Sequence, residues 1–413
     1  MAKKLLTFLG AGPYTEITYL REGDNLNEEK YKNMTSRFIQ EVLYNDLGKD
    51  TIVYVFLTDV ARERNWESNS ETGKTGLKAI FEGKGINFKE ISIDEGKSDE
   101  ELWNNFEKIF ACFEDGDEIA IDITHSLRSI PILFLGVLNY AKETTKNIKI
   151  NGIYYGAFEA RKPIKFNEKD IEVAPIFDLT LFNTLHKWSI GINSFLKEGN
   201  AEELCNAIDE SVEHIVRNKY HNEIEEAKVF KNLSLALKKF SEDLRNSRGQ
   251  CISKSGVGLK DKVEKNKNVV IKELKPFKNI INKIYDCVKD FSGDIINDTI
   301  CAIKLCDSFN LIQQAYTFLQ ELIITRVCIL MQKNINDVEE RKIVKNIICS
   351  KDNNEYQINE KIWNLYNDIS QYRNDINHGG FNNGAHKPKD FKEKLEVFLD
   401  KFISIKDEEI FVS

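Results

Sequence analysis

Glycine and proline are unevenly distributed along these 413 residues: positions 1–177 hold 13 of the 22 glycines and four of the six prolines, and the other 236 hold nine and two. Both residues interrupt regular structure, so dense punctuation suits short strands alternating with helices, and sparse punctuation suits long helices. The chain therefore reads as an α/β half over 1–177 followed by an all-α half over 178–413, with the boundary near Pro175 to Asp178. Length agrees, because a single core rarely grows beyond about 250–300 residues.

Short, apolar, often β-branched runs predict strands at Lys4 to Leu9, Thr51 to Leu57, Asn87 to Ile93, Glu118 to Ile123 and Ile148 to Tyr155. Helical stretches fall between them at Asn33 to Tyr44, Gly73 to Phe81, Asp99 to Phe113 and Leu127 to Lys142. This alternation predicts a Rossmann-like, mostly parallel sheet with helices on both faces. Beyond Asp178 helical periodicity takes over at Leu179 to Leu196, Ala201 to Arg217, Asn222 to Arg245, Val269 to Val288, Ile300 to Met331, Glu360 to Tyr372 and Lys389 to Phe402.

No apolar run approaches the roughly 20 residues of a bilayer crossing. The strand-like start has no secretory pattern, so a cytoplasmic protein without a membrane association is expected. The eight cysteines are scattered without a CxxC pair and read as reduced thiols rather than disulfides or a metal site. A net charge of −8 argues against nonspecific coating of nucleic acid but permits a local basic groove. Lys254 to Lys278 is such a basic stretch, with eight lysines against Asp261, Glu264 and Glu273; it reads foremost as a mobile solvated loop and secondarily as an RNA-attracting patch.

Two loops have the makings of a phosphate site. Gly10 and Gly12, directly after the first strand, permit close backbone approach, and Tyr14 or Thr15 can donate a hydroxyl. After the fourth strand, Thr124, His125, Ser126 and Arg128 bring hydroxyls, an imidazole and a guanidinium to the start of a helix. Helix capping by Thr124 or Ser126 accounts for the hydroxyls, but not for His125 and Arg128 beside them. Thr58, after the second strand, could face a base or ribose, and Tyr155 and Gly156, after the fifth, belong to an aromatic segment that serves either as a lid or as core.

Near the end stands Tyr372-Arg373-Asn374-Asp375-Ile376-Asn377-His378-Gly379-Gly380. Arginine holds a phosphate and histidine exchanges protons near neutral pH, a combination suited to RNA transesterification by the substrate's own 2'-hydroxyl. Five steps on a helix place Arg373 and His378 about 140° apart. Convergence needs either a frayed end at His378 or a second copy of the segment across a dimer.

LGAGPYTEITY at the start and IDITHSLRSIPI at the fourth strand resemble the CARF domain of CRISPR-associated proteins, in particular the Csx1 branch of the Csx1/Csm6 family. The helical half, with RNDINH near its end, resembles a HEPN domain with its Arg-x4-6-His motif. The resemblance spans the chain in the family's order. It implies a type III CRISPR ancillary endoribonuclease: a homodimer, or a higher oligomer, in which cyclic oligoadenylate bound across paired CARF domains activates cleavage of single-stranded RNA. The Csx1 likeness favours cyclic tetraadenylate over the hexaadenylate. It further implies a composite catalytic site built from both subunits, independent of any metal or cofactor. By motif, Arg373 and His378 become the catalytic pair with Asn374 and Asn377 as positioning groups, while Gly10, Gly12, Thr124, His125, Ser126 and Arg128 become activator contacts. Two alternatives remain open: a non-catalytic, cyclic-nucleotide-responsive regulator, and a CARF domain that also degrades its activator.

Overall fold

The structure, a computed structural model, describes residues 2–68, 73–125, 129–144, 147–218, 221–267, 272–350, 358–381 and 384–408. The chain forms two compact units, 1–183 and 184–413. The first contains β1 (Lys3–Leu9), β2 (Ile17–Arg21), α1 (Glu28–Met34), β3 (Thr35–Ser36), α2 (Ile39–Leu47), β4 (Thr51–Leu57), α3 (Asp59–Ala61), α4 (Leu77–Lys84), β5 (Phe88–Ser92), α5 (Asp99–Phe110), β6 (Glu118–Asp122), α6 (Ser129–Thr144), β7 (Lys149–Gly156), β8 (Lys162–Phe166) and β9 (Lys169–Asp178).

The strand order is β3-β2-β9-β7-β6-β1-β4-β5, with β8 paired to β9. Strands β5, β4, β1, β6 and β7 run parallel, whereas β9 is antiparallel to β7 and β8. Alternate residues of the central strands face opposite layers. Leu5, Val53, Val55 and Leu57 pack with Val42, Leu77 and Phe81 on one side, and Leu6, Phe8, Phe56 and Ile121 with Ile109, Phe134 and Val137 on the other. Two covered faces explain why these strands read as unbroken apolar runs. Each such buried side chain contributes roughly 1.5–3 kcal/mol.

The second unit is helical: α7 (Thr180–Glu198, which carries the unit boundary), α8 (Glu202–Asn218), α9 (His221–Arg245), α10 (Gly249–Asn266), α11 (Lys278–Val288), α12 (Ile295–Ser308), α13 (Ile312–Leu330), α14 (Val338–Cys349), α15 (Glu360–Asn377) and α16 (Pro388–Ile405). Residues from all of these helices, including Phe230, Leu259, Ile303, Tyr316, Ile348, Ile369 and Phe402, join in one apolar cluster.

Several sequence expectations need correction. The lysine-rich segment is helical as far as Asn266 rather than a loop. Its glycines misled: at Gly256 a Cβ would lie 2.2 Å from Phe291 Cδ1, so that glycine is there to admit a ring. The single helix expected over Ile300 to Met331 is two, separated at Asn310, whose φ of 56° ends α12 as a left-handed residue while Leu311 N–H returns to the Cys306 carbonyl. The helix expected from Asn33 starts only at Ile39, because Ser36 Oγ takes the Phe38 N–H and donates to Glu41. Strands β2, β8 and β9 and helix α14 have no counterpart among the expected elements. All eight cysteines are free thiols. No described helix is long and apolar enough to cross a membrane.

Candidate functional site

Strand β1 lies between β4 and β6: β4 and β5 extend the parallel sheet on one side of it and the later strands β6 and β7 on the other, after the chain has first formed β2 and β3 at the far edge. The carboxyl ends of β1 and β6 flank a topological switch point, the place where open α/β sheets leave a crevice. A cleft of about 460 Å³ lies there, lined by Gly10, Gly12, Tyr14, Thr58, Glu95, Thr124 and His125 over an apolar floor that includes Phe8 and Phe56. The two sequence-predicted phosphate loops and Thr58 thus meet in one place.

Hydrogen bonds between strand ends hold these loops. Asp122, fully buried at the end of β6, accepts Thr7 Oγ1 of β1 at 2.6 Å and the Thr124 N–H at 2.9 Å. Burial pushes its carboxyl above the usual carboxylate range, and the bonds from Thr124 and Thr7 oppose that. Thr124 does not cap α6, which begins at Ser129; its hydroxyl accepts the Gly156 N–H at 2.8 Å and so ties β6 to β7. In the glycine loop, Gly10 N–H donates to Tyr14 Oη at 2.8 Å, and that ring meets His125 edge-on at 4.5 Å. A Cβ at Gly10 would sit 3.3 Å from Tyr14 Oη, whereas one at Gly12 would meet open space. The N–H groups of Ala11 and Gly12 have no partner among the described residues, leaving two donors for an anion.

Two contributors lacked any sequence signal. Asn65 Nδ2 donates to the carbonyls of Gly10 and Gly12 at 2.8 and 2.9 Å, and Arg64 donates to Ala11 O at 3.3 Å. Both come from a π-helical turn, Arg62–Trp66, which no periodicity predicts. Thr58 caps α3 through the Ala61 N–H, and its neighbour Val60 also lines the cleft.

His125 is strongly perturbed. Its Nε2 is buried without a partner, and burial lowers the imidazole to about 4, opposed by Glu159. It is therefore neutral at pH 7 and can offer a hydrogen bond but not a charge. The unfolded chain binds this proton near pH 6.5 and the folded chain only near pH 4, so the unfolded state carries more protons in between. The associated stability is present in full above about pH 6.5 and falls as pH drops toward 4. Urea unfolding at pH 7 and pH 5 should show a loss for wild type that His125→Gln reduces. Equal losses would mean that the imidazole is not held neutral.

Other sequence-predicted residues lie elsewhere. Thr15 is exposed and outside the cleft lining, and Tyr155 bonds Glu159 through its hydroxyl. Gly156 is a packing glycine, since a Cβ would fall 2.1 Å from Ile39 Cδ1. Ser126 and Arg128 fall outside the described residues. Among the described lining residues there is no cation, and Glu95 is the carboxylate.

In the helical unit, Arg373 sits on α15, half-buried with Nε unpartnered, and His378 is the exposed C-cap at φ −93°, ψ 7°. His378 N–H donates to Asn374 O, and Gly379 and Gly380 turn the chain away at φ 64° and 73°. On an ideal helix these two positions lie about 140° apart, and His378 itself stands at the helix end outside α-helical dihedrals. Asn374 is exposed, and Asn377 accepts from Gln313 of α13 at 3.0 Å. Between them, buried Asp375 accepts the His386 N–H at 2.7 Å and contacts its Nδ1 at 2.9 Å, while His386 stacks on Tyr372 at 3.8 Å. This latch pins the segment after the double glycine; nothing in the local sequence announces it.

The α/β unit, with its switch-point cleft, defines a ligand-binding Rossmann-like domain, and residues 4–159 match the family model for the CARF domain of the CRISPR system endoribonuclease Csx1. Residues 184–293 match the model for the second domain of CRISPR-associated protein MJ1674. Residues 4–159 are thus a Csx1-type CARF domain, and the segment after it is similar to the second domain of a CRISPR-associated protein. A relative, CRISPR-associated protein MJ1674 of Methanocaldococcus jannaschii, is 34% identical over 112 residues, which is 26% of this chain and 16% of that protein. The similarity therefore spans about a sixth of the relative's length. Arg373 and His378 lie beyond both matched segments.

Proposed function

We propose that this protein is a type III CRISPR ancillary endoribonuclease switched on by cyclic oligoadenylate, with cyclic tetraadenylate the favoured ring. The observation that carries the proposal is the meeting of the Gly10–Tyr14 and Thr124–His125 loops in one cleft at the switch point of a Csx1-type CARF domain. Free amides of Ala11 and Gly12 suit a phosphate, and Pro13 and Val60 offer apolar surface to a base. In a homodimer two such clefts face one cyclic ligand.

Catalysis is assigned to the helical unit, acting as a HEPN domain. The RNA 2'-hydroxyl attacks the adjacent phosphorus, the 5'-oxygen leaves, and a 2',3'-cyclic phosphate and a 5'-hydroxyl result. His378 exchanges the protons and Arg373 bridges the non-bridging oxygens, with Asn374 and Asn377 positioning the phosphate. Because Arg373 and His378 diverge on α15, an arginine of one subunit works with a histidine of the other. The test is cleavage of labelled single-stranded RNA in EDTA, with cyclic tetra- and hexaadenylate supplied separately. Cleavage that depends on one ring supports the proposal, and inert protein with both rings sinks it.

One observation favours an added activity. His125 lines the cleft with Nε2 unpartnered, free to take a hydrogen bond from a ribose hydroxyl, which supports slow cleavage of the activator by the CARF unit. Intact labelled activator after long incubation with the His378→Ala protein would exclude it.

A further inference from the structure

A cleft of about 880 Å³ belongs to neither site above. It lies within the helical unit, between α10, the start of α12, α13 and α14. Its lining includes Lys254 from α10 and Arg341, Lys342 and Lys345 from α14, against the single carboxylate Glu321, a local net charge of +3 in a chain of net −8. Arg341 is committed to Glu321 and to the carbonyl of Ile335, and Lys342 pairs with Glu339. Lys254 and Lys345 are exposed and have no carboxylate partner among the described residues. Apolar surface from Val338, Ile295 and Val257 lies beside these cations, which is the mixture that a nucleic-acid strand meets: charge for phosphates and apolar surface for bases.

The walls are braced. Asp298, fully buried, accepts Ser253 of α10 and the N–H groups of Ser292 and Gly293, which fixes the loop at the rim. Placement along α13 supplies the link to catalysis. Gln313 holds Asn377, and Thr317, which lines the cleft, is the next turn of the same helix and donates to Gln313 O at 2.9 Å. The cleft thus opens about 6 Å along the helix axis from Gln313, which touches Asn377 of the Arg373–His378 segment.

We propose that this cleft is an RNA-binding site flanking the cleavage point, with Lys254 and Lys345 as its principal phosphate contacts. The proposal rests on the ribonuclease reading, and equilibrium binding separates the two. A labelled single-stranded 20-mer RNA is titrated into His378→Ala protein with and without Lys254→Glu/Lys345→Glu. The expected result is at least a tenfold loss of affinity, with a log-log salt slope shallower by roughly 1.4, as for two lost phosphate contacts on a single strand. In the catalytically intact background the same charge reversals should raise KM and leave kcat within about twofold, since neither lysine reaches the reacting phosphate. Unchanged RNA affinity at an unchanged salt slope would overturn the inference and leave the cleft to an acidic protein partner. Loss of affinity in a protein that cleaves no RNA would retain the binding site and refute the ribonuclease reading instead.

Discussion

His378→Ala is expected to lower activator-dependent RNA cleavage by about 10² to 10⁴-fold, the usual range for removing a general acid-base group. The side chain is exposed and the cap bond to Asn374 is made by the backbone, so the fold and the activator cleft should be unaffected. A urea midpoint and an activator binding isotherm equal to wild type would separate lost chemistry from lost structure. Arg373→Ala should be similarly inert, and Arg373→Lys should not recover it, because a point charge lacks the planar fork that spans two phosphate oxygens. A mixture of the two inactive proteins tests the divergence of the pair on α15. Recovered activity requires an arginine from one subunit and a histidine from the other; retained cleavage by His378→Ala alone would remove the imidazole from the mechanism.

Asp122→Ala should destabilise the α/β unit by about 2–4 kcal/mol and weaken activator binding at least tenfold. The carboxylate joins β1 to the Thr124 loop, and its loss leaves the Thr7 hydroxyl and the Thr124 N–H buried without an acceptor. Freed from Asp122, Thr124 would also loosen its hold on Gly156, so the rim of the cleft and the end of β7 should move together. Asp122→Asn keeps an acceptor and should lose about half as much. Urea unfolding and titration with cyclic oligoadenylate check both effects; a wild-type urea midpoint for the alanine variant would mean that the bonds do not brace the site.

Legibility differed between the two halves for a physical reason. The central strands read correctly because burial on both faces leaves a run of apolar residues that needs no partner to be recognised. Strand β8 and the first half of β9 did not, because Lys162, Lys165, Lys169 and Asp170 lie along an exposed antiparallel ribbon whose pairing supplies its order. In the helical unit, Gly256 and Gly258 suggested a loop where α10 runs, since propensity cannot register that a ring of Phe291 occupies the space beside Gly256. The site was legible in its loops and illegible in its supports: Asn65, Arg64, His386 and Asp375 act across folds of chain that no spacing encodes.

By itself the sequence determined the division into a sheet-bearing and a helical half and the residue types that each candidate motif carries, because periodicity and residue type are local properties. Tertiary structure alone decided that the glycine loop and the Thr124–His125 loop share one cleft, that burial lowers the pKa of His125, that Gly156 serves packing, and that Lys254 and the cations of α14 line one cleft. Each of these depends on which surfaces are brought together and on how much water that contact excludes, and both are set only when the strands and helices pack.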